Sequence, residues 1–282
     1  MNTKILILSY LIISSIIFSA YSQNSSEETD TTETDNFSSL MLNVSYTNNN
    51  MEYLTGTTEK LPIMFINGSY FHKSGVYFGG MYSKYFSDTL DSYDYDISAG
   101  YQKYFDNGFD IDLSYTWHKY NGDSLLEGIN YNHSIDLLLG LEIGKFYLSS
   151  GVNYKLGNTN NLFLDIGLSR FFQIDGIFSE NDVLLINPGI SASFGSDFWL
   201  YEDMTTAEKQ TTFNGLNSAG YTYESFSYEA FNVFIPVSYG IKNVYLSASW
   251  LYKIPGAKYD YLGWEKQSGF MFSLTYFLNF TK

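Results

Sequence analysis

From Gly269 onward, Phe270, Phe272, Leu274, Tyr276, Leu278 and Phe280 occupy every second position. Successive side chains of a strand point to opposite faces, so these residues form one apolar face of a strand. The run is long enough to cross a bilayer, which takes ~9 to 11 tilted residues. The same alternation recurs in Tyr93, Tyr95, Ile97, Ala99, Tyr101; in Ile135, Leu137, Leu139, Leu141; in Leu162, Leu164, Ile166, Leu168; and in Phe231, Val233, Ile235, Val237, Tyr239. The opposite faces carry mainly Asp, Ser, Gly, Asn and Thr. Read this way, the chain predicts about twelve strands. They fall near 37–47, 61–72, 75–87, 92–105, 109–120, 131–143, 146–157, 161–172, 182–195, 228–241, 244–255 and 267–280.

Alternation alone does not say which face is outside, because a soluble sandwich or closed soluble barrel would turn the same apolar line inward. The connections decide it. Gly144-Lys145 and Lys242-Asn243 are two-residue turns and Asp106-Asn107-Gly108 is a three-residue one, each joining an even-numbered strand to the next odd one. The long connections, 120–130 and 195–227, lie between odd and even strands and so share the other end. Short turns at one end and long loops at the other are the habit of membrane barrels. Aromatics are 19% of the chain, and Phe105, Phe109, Phe172 and Phe280 fall at strand ends, where an interfacial girdle sits. Arg170 lies on the outward face near a short-turn end, placed to reach headgroups.

The chain start adds a targeting signal. Lys4 precedes an apolar stretch from Ile5 to Phe18 and the small-x-small signal Ala20-Tyr21-Ser22, which predicts a cleaved signal peptide over 1–22. Residues 23–36, rich in Ser, Thr, Glu and Asp, read as a disordered acidic spacer, and 37–282 as the barrel. With no cysteine there is neither a lipoprotein acylation site nor a disulfide framework. Loss of Lys4 with the signal takes the 15 basic residues to 14 against 30 acidic ones, a formal charge of −16. That acidity argues against nucleic acid, whose phosphates demand basic patches.

From Phe37 to Phe280 the pattern resembles bacterial outer-membrane β-barrels of the porin-like kind. The last strand resembles the signal read by the barrel-assembly machinery, with Gly269, Phe272, Leu274, Tyr276 and a near-terminal aromatic, although it ends Phe280-Thr281-Lys282. The resemblance implies an all-β, transmembrane, antiparallel up-and-down barrel in the outer membrane. Its implied partners are membrane lipid, lipopolysaccharide and the assembly machinery.

With the outward face fixed, Asp94, Asp96, Asp110, Asp112, Asp136, Glu142 and Asp165 point into the lumen, with Lys155 as the one clear cation among them. Such a surplus favours cations over anions in a narrow aqueous pore. It is equally what a polar lumen needs to stay hydrated. The 105/109 hairpin, with Gly108 available for the left-handed position, sets the register of its two strands. That register places Asp96 opposite His118, Gln102 opposite Asp112, and Tyr104 opposite Asp110. An Asp–His pair can orient a general base, but is more often an ordinary cross-strand hydrogen bond, and no serine–histidine motif resembling that of the outer-membrane phospholipase is visible in the sequence.

The loop 195–227 carries Asp197, Phe198, Trp199, Tyr201 and Glu202, a candidate constriction or sugar-stacking site if it folds back into the pore. Asp88 and Asp91 with Asp94 and Asp96 make an acidic loop without metal-ligand spacing. No cofactor motif is present. The expected function is a passive channel for small hydrophilic or cationic solutes. A non-transporting structural or surface-interaction barrel is the first alternative, and a hydrolase using Asp96 and His118 the second.

Overall fold

The computed structural model describes residues 38–49, 60–86, 92–121, 131–157, 160–196, 205–221 and 226–280. The signal segment, the acidic spacer, Asp88, Asp91 and the loop residues Asp197, Phe198, Trp199, Tyr201 and Glu202 lie outside them. Fourteen strand segments form one antiparallel sheet: β1 (Ser38–Thr47), β2 (Ile63–Phe71), β3 (Val76–Tyr85), β4 (Tyr93–Tyr104), β5 (Phe109–Asn121), β6 (Tyr131–Ile143), β7 (Phe146–Gly157), β8 (Asn161–Arg170), β9 (Phe172–Asp175), β10 (Asp182–Ile186), β11 (Gly189–Gly195), β12 (Ser227–Ile241), β13 (Val244–Pro255) and β14 (Gln267–Phe280). Neighbours in the chain pair around the sheet, β1 pairs with β14, and β12 pairs with both β10 and β11. The sheet therefore closes and leaves the bilayer no unpaired edge.

The fourteen segments make twelve staves. Ile186 faces Val237 and Gly189 faces Phe234, so β10 and β11 share one register against β12. Phe172 faces Ile186 and Ser169 faces Gly189, so β8 and β9 do the same. The eighth stave thus runs to Asp175, beyond the expected end at 172. Prolines cause the breaks. Asn187 donates its N–H to Pro236 O at 3.1 Å and Arg170 donates to Pro188 O at 3.0 Å, but neither proline has an N–H to return. One rung is lost on each side of the ninth stave at successive residues.

The short connections, 72–75, 105–108, Gly144-Lys145, 176–181 and Lys242-Asn243, all lie at one end, beside Ser38 and Phe280. Gly108 (φ 79°) and Gly144 (φ 62°) supply the left-handed residue of their turns, and Lys242 (φ 53°) adopts it without being glycine. Asp182 holds the 176–181 turn by accepting from the backbone N–H groups of Ile177, Phe178 and Ser179 at 2.7–2.9 Å. The long loops share the other end, and among the described residues they hold two helices, α1 (Thr206–Ser218) and α2 (Ala257–Tyr261). Thr205 and Glu208 close a capping box on α1, and Tyr261 OH donates to Gly215 O at 3.2 Å, joining the two loops.

The outward line is apolar all round: Phe78 and Ile97 are each 58% exposed, Leu246 56% and Phe272 55%. This is the belt of a barrel that sits in lipid. At the short-turn rim Phe105 meets Phe109 (5.6 Å between centroids), Tyr70 meets Phe280 (6.3 Å), and Arg170 lies over the rings of Phe172 and Phe146.

The inward face holds more large residues than alternation suggested. Tyr77, Tyr147, Phe234 and Tyr245 are buried within the barrel. Each lies over a glycine of a neighbouring strand: Gly100, Gly140, Gly189 and Gly240 respectively. A Cβ on Gly100 would stand 2.4 Å from Tyr77 Cζ, so the glycine makes room for the ring. Gly100→Ala is expected to destabilise the barrel by about 1–3 kcal/mol. Gly80→Ala, whose nearest contact would be Asp96 O at 3.7 Å, should shift it little. Urea unfolding followed by heat-modifiable gel migration compares the two.

Candidate functional site

The inner wall of β4 to β7 carries the carboxylates the sequence placed there. Asp96 faces His118, Gln102 faces Asp112 and Tyr104 faces Asp110, all in the expected register. Asp94, Asp110 and Asp112 are buried, and Asp165 faces Ser193 across the β8–β11 pair. Glu142, opposite Tyr147, sits at the short-turn rim beside Gly108.

Most of these carboxylates take hydrogen bonds from hydroxyl or amide donors. Tyr85 OH donates to Asp94 at 2.5 Å, Tyr77 OH to Asp112 at 2.8 Å, and Tyr147 OH to both oxygens of Asp110 at 3.0 Å. Ser193 donates to Asp165, and Asn153 and Ser134 to Asp136. A buried carboxylate without such partners would be costly, whereas a charge-assisted bond holds it without neutralising it. These donors fix the geometry of the wall.

At the long-loop end one chain of contacts crosses three strands. His118 Nδ1 is 2.7 Å from Asp96 Oδ1, and its Nε2 is 3.0 Å from Ser134 Oγ. Ser134 in turn donates to Asp136 at 3.1 Å. The rings of Tyr120 and Tyr131 enclose His118, the second edge-on at 4.9 Å. Ser134 was not foreseen as a partner of His118. Strands β5 and β6 are joined through a long loop, so no tight turn tells from sequence how they register. His133, on the other parity, faces outward and meets Tyr115 OH at 2.6 Å, and His72 lies beside a short turn.

Lys155 is not the only lumen cation. Lys253, opposite Asn232 on β13, shares the inward parity. Lys155 faces Ser134 across the β6–β7 pair, and its ammonium donates to Tyr131 OH at 3.2 Å. Beside Lys253 the wall opposite the carboxylates carries amides and hydroxyls: Asn43 donates to Thr275 at 2.6 Å, Ser45 to Asn43 at 2.6 Å, and Ser238 meets Ser247 at 2.7 Å.

At the short-turn end the lumen turns apolar. Met41, Val183, Leu185, Tyr245 and Phe277, from β1, β10, β13 and β14, form one buried cluster, with Phe71 and Phe171 packed against it. The cluster joins β10 through the interior to β1, β13 and β14, strands with which it does not pair. The sequence assigned constriction to the 195–227 loop, whose candidate residues are outside the described part. Among the described residues no group of three His, Cys, Asp or Glu is placed to hold a metal ion.

No protein-family model and no curated protein matches the sequence. Solved structures do match in fold. LpxR from Salmonella typhimurium aligns with a TM-score of 0.51 at 10% identity over 84% of this chain and 100% of that one. The KdgM porin aligns at 0.47 and 10% identity, and the NanC porin at 0.46 and 7%, each over 84% of this chain and 98% of the other. At these identities the likeness is one of fold. The chain is an outer-membrane β-barrel in architecture, and its lipid-facing belt agrees with that setting.

The tyrosine donors carry a measurable share of stability. Tyr147→Phe leaves Asp110, 1% exposed, without its hydroxyl partner and should cost about 1–3 kcal/mol. Adding Asp110→Asn should recover part of that loss, as read from urea refolding of the single and double variants.

Proposed function

We propose that this barrel is a narrow conduit for small hydrophilic, preferentially cationic solutes. The observation that carries the reading is the line of carboxylates Asp94, Asp96, Asp136, Asp112 and Asp110 down one inner wall, each meeting a side-chain partner and faced mainly by hydroxyls and amides. In a low-dielectric tube such a line makes the potential negative along the path, which concentrates cations and excludes anions. The apolar cluster of Met41, Leu185, Tyr245 and Phe277 sets the size limit, because an apolar constriction resists wetting. Lipid and lipopolysaccharide around the belt, and the assembly machinery acting on the last strand, complete the proposed surroundings.

That same cluster favours a second reading, a barrel sealed at its short-turn end and serving a structural or surface role. Planar-bilayer conductance of the refolded barrel across a salt gradient separates the two. The conduit predicts discrete steps with a cation-selective reversal potential that moves toward zero when Asp96, Asp112 and Asp136 become Asn. Phe277→Ala with Leu185→Ala should enlarge the steps. A folded barrel that is silent until those two are cut back would establish the sealed form.

A further inference from the structure

Three side chains on adjacent strands at the long-loop end stand in the geometry of a nucleophile, its base and the group that orients the base. Ser134 Oγ lies 3.0 Å from His118 Nε2, and Asp96 Oδ1 lies 2.7 Å from His118 Nδ1. The neutral tautomer that donates Nδ1–H to Asp96 presents a bare Nε2 to the serine, which is what removal of its proton requires. A cation is also at hand, since Lys155 faces Ser134 in register and its ammonium is held by Tyr131 OH. Strand N–H groups are committed to the ladder, so a side-chain cation is the available donor for a developing oxyanion.

We propose that Ser134, His118 and Asp96 form a serine-nucleophile centre that cleaves small neutral or cationic carboxylic esters entering the long-loop end. Ser134 Oγ bonds to the acyl carbon as its proton passes to His118 Nε2, and His118 returns that proton to the departing alcohol oxygen. Water, deprotonated by the same imidazole, then releases the carboxylic acid and restores Ser134. Asp96 is a positioning residue that keeps the tautomer, and Lys155 stabilises the tetrahedral oxyanion. Asp136, which accepts from the same hydroxyl at 3.1 Å, competes with His118 for the serine proton and so restrains the nucleophile at rest. The acidic wall excludes anionic esters. The enclosing rings of Tyr120 and Tyr131 limit the acyl group to a short one. The inference stands whether or not the barrel conducts.

The test is covalent labelling of the refolded mature barrel by a fluorescent fluorophosphonate, mapped by peptide mass, with heat-modifiable migration as the check of folding. Ser134 should be labelled, and faster in Tyr120→Ala, which uncovers His118 and leaves Lys155 in place. His118→Asn should slow labelling by roughly 100-fold or more, the usual weight of a general base. Turnover of p-nitrophenyl acetate should show a burst. Asp96→Asn should lower kcat with little change in KM. The proposal is overturned if neither the native barrel nor Tyr120→Ala is labelled at Ser134. Labelling at an equal rate in folded His118→Asn would overturn it as well.

Discussion

Inside a bilayer a backbone N–H or C=O that finds no partner costs several kcal/mol, and strands satisfy theirs only between neighbours. The rest of this molecule follows from that demand. The sheet closes through β1–β14 and through β12 against β10 and β11, so every stave has two neighbours. Closure makes an inside and an outside, and the period of two then sorts residues between lipid and lumen. Polarity is inverted relative to a soluble barrel: Ile97 and Leu246 face out, and Asp112 and Ser134 face in.

The lumen is not lined by charge alone. The inner face divides by level into an acidic stretch tied down by tyrosine, serine and asparagine donors and an apolar stretch near the short turns. The inward rings fit because glycines on adjacent strands leave hollows for them, Tyr77 on Gly100 and Tyr245 on Gly240. A small residue is thus the complement of a large one across a strand pair, so the two are constrained together.

What could be read from the sequence was whatever depends on parity. Strands β6, β7, β13 and β14 begin and end where alternation placed them, and the Asp106–Gly108 turn fixed the Asp96–His118 register. Relations that need register across a long loop were not readable. Ser134 beside His118 is one, because nothing local ties β6 to β5, and a register irregularity between Tyr131 and His133 further blurs the approach. Lys253 was obscured by its neighbours Tyr252 and Ile254, in a segment that ends in Pro255 without a clean apolar line. The inward apolar cluster was missed because Val183 and Leu185 alternate with Leu184 and Ile186, giving β10 no polar face. Helix α1 did carry a local signal, Thr205 followed by Glu208 three residues on.

The prolines at 188 and 236 have a mechanical meaning. A closed sheet resists deformation as a hoop does, through the stiffness of its cross-links, and yields where these are fewest. The ninth stave is short of one link to each neighbour at consecutive residues, and Val183 and Leu185 hang just beyond that point. The bore at the apolar level is therefore flanked by a stretch of wall that can give under load more readily than an unbroken ladder would.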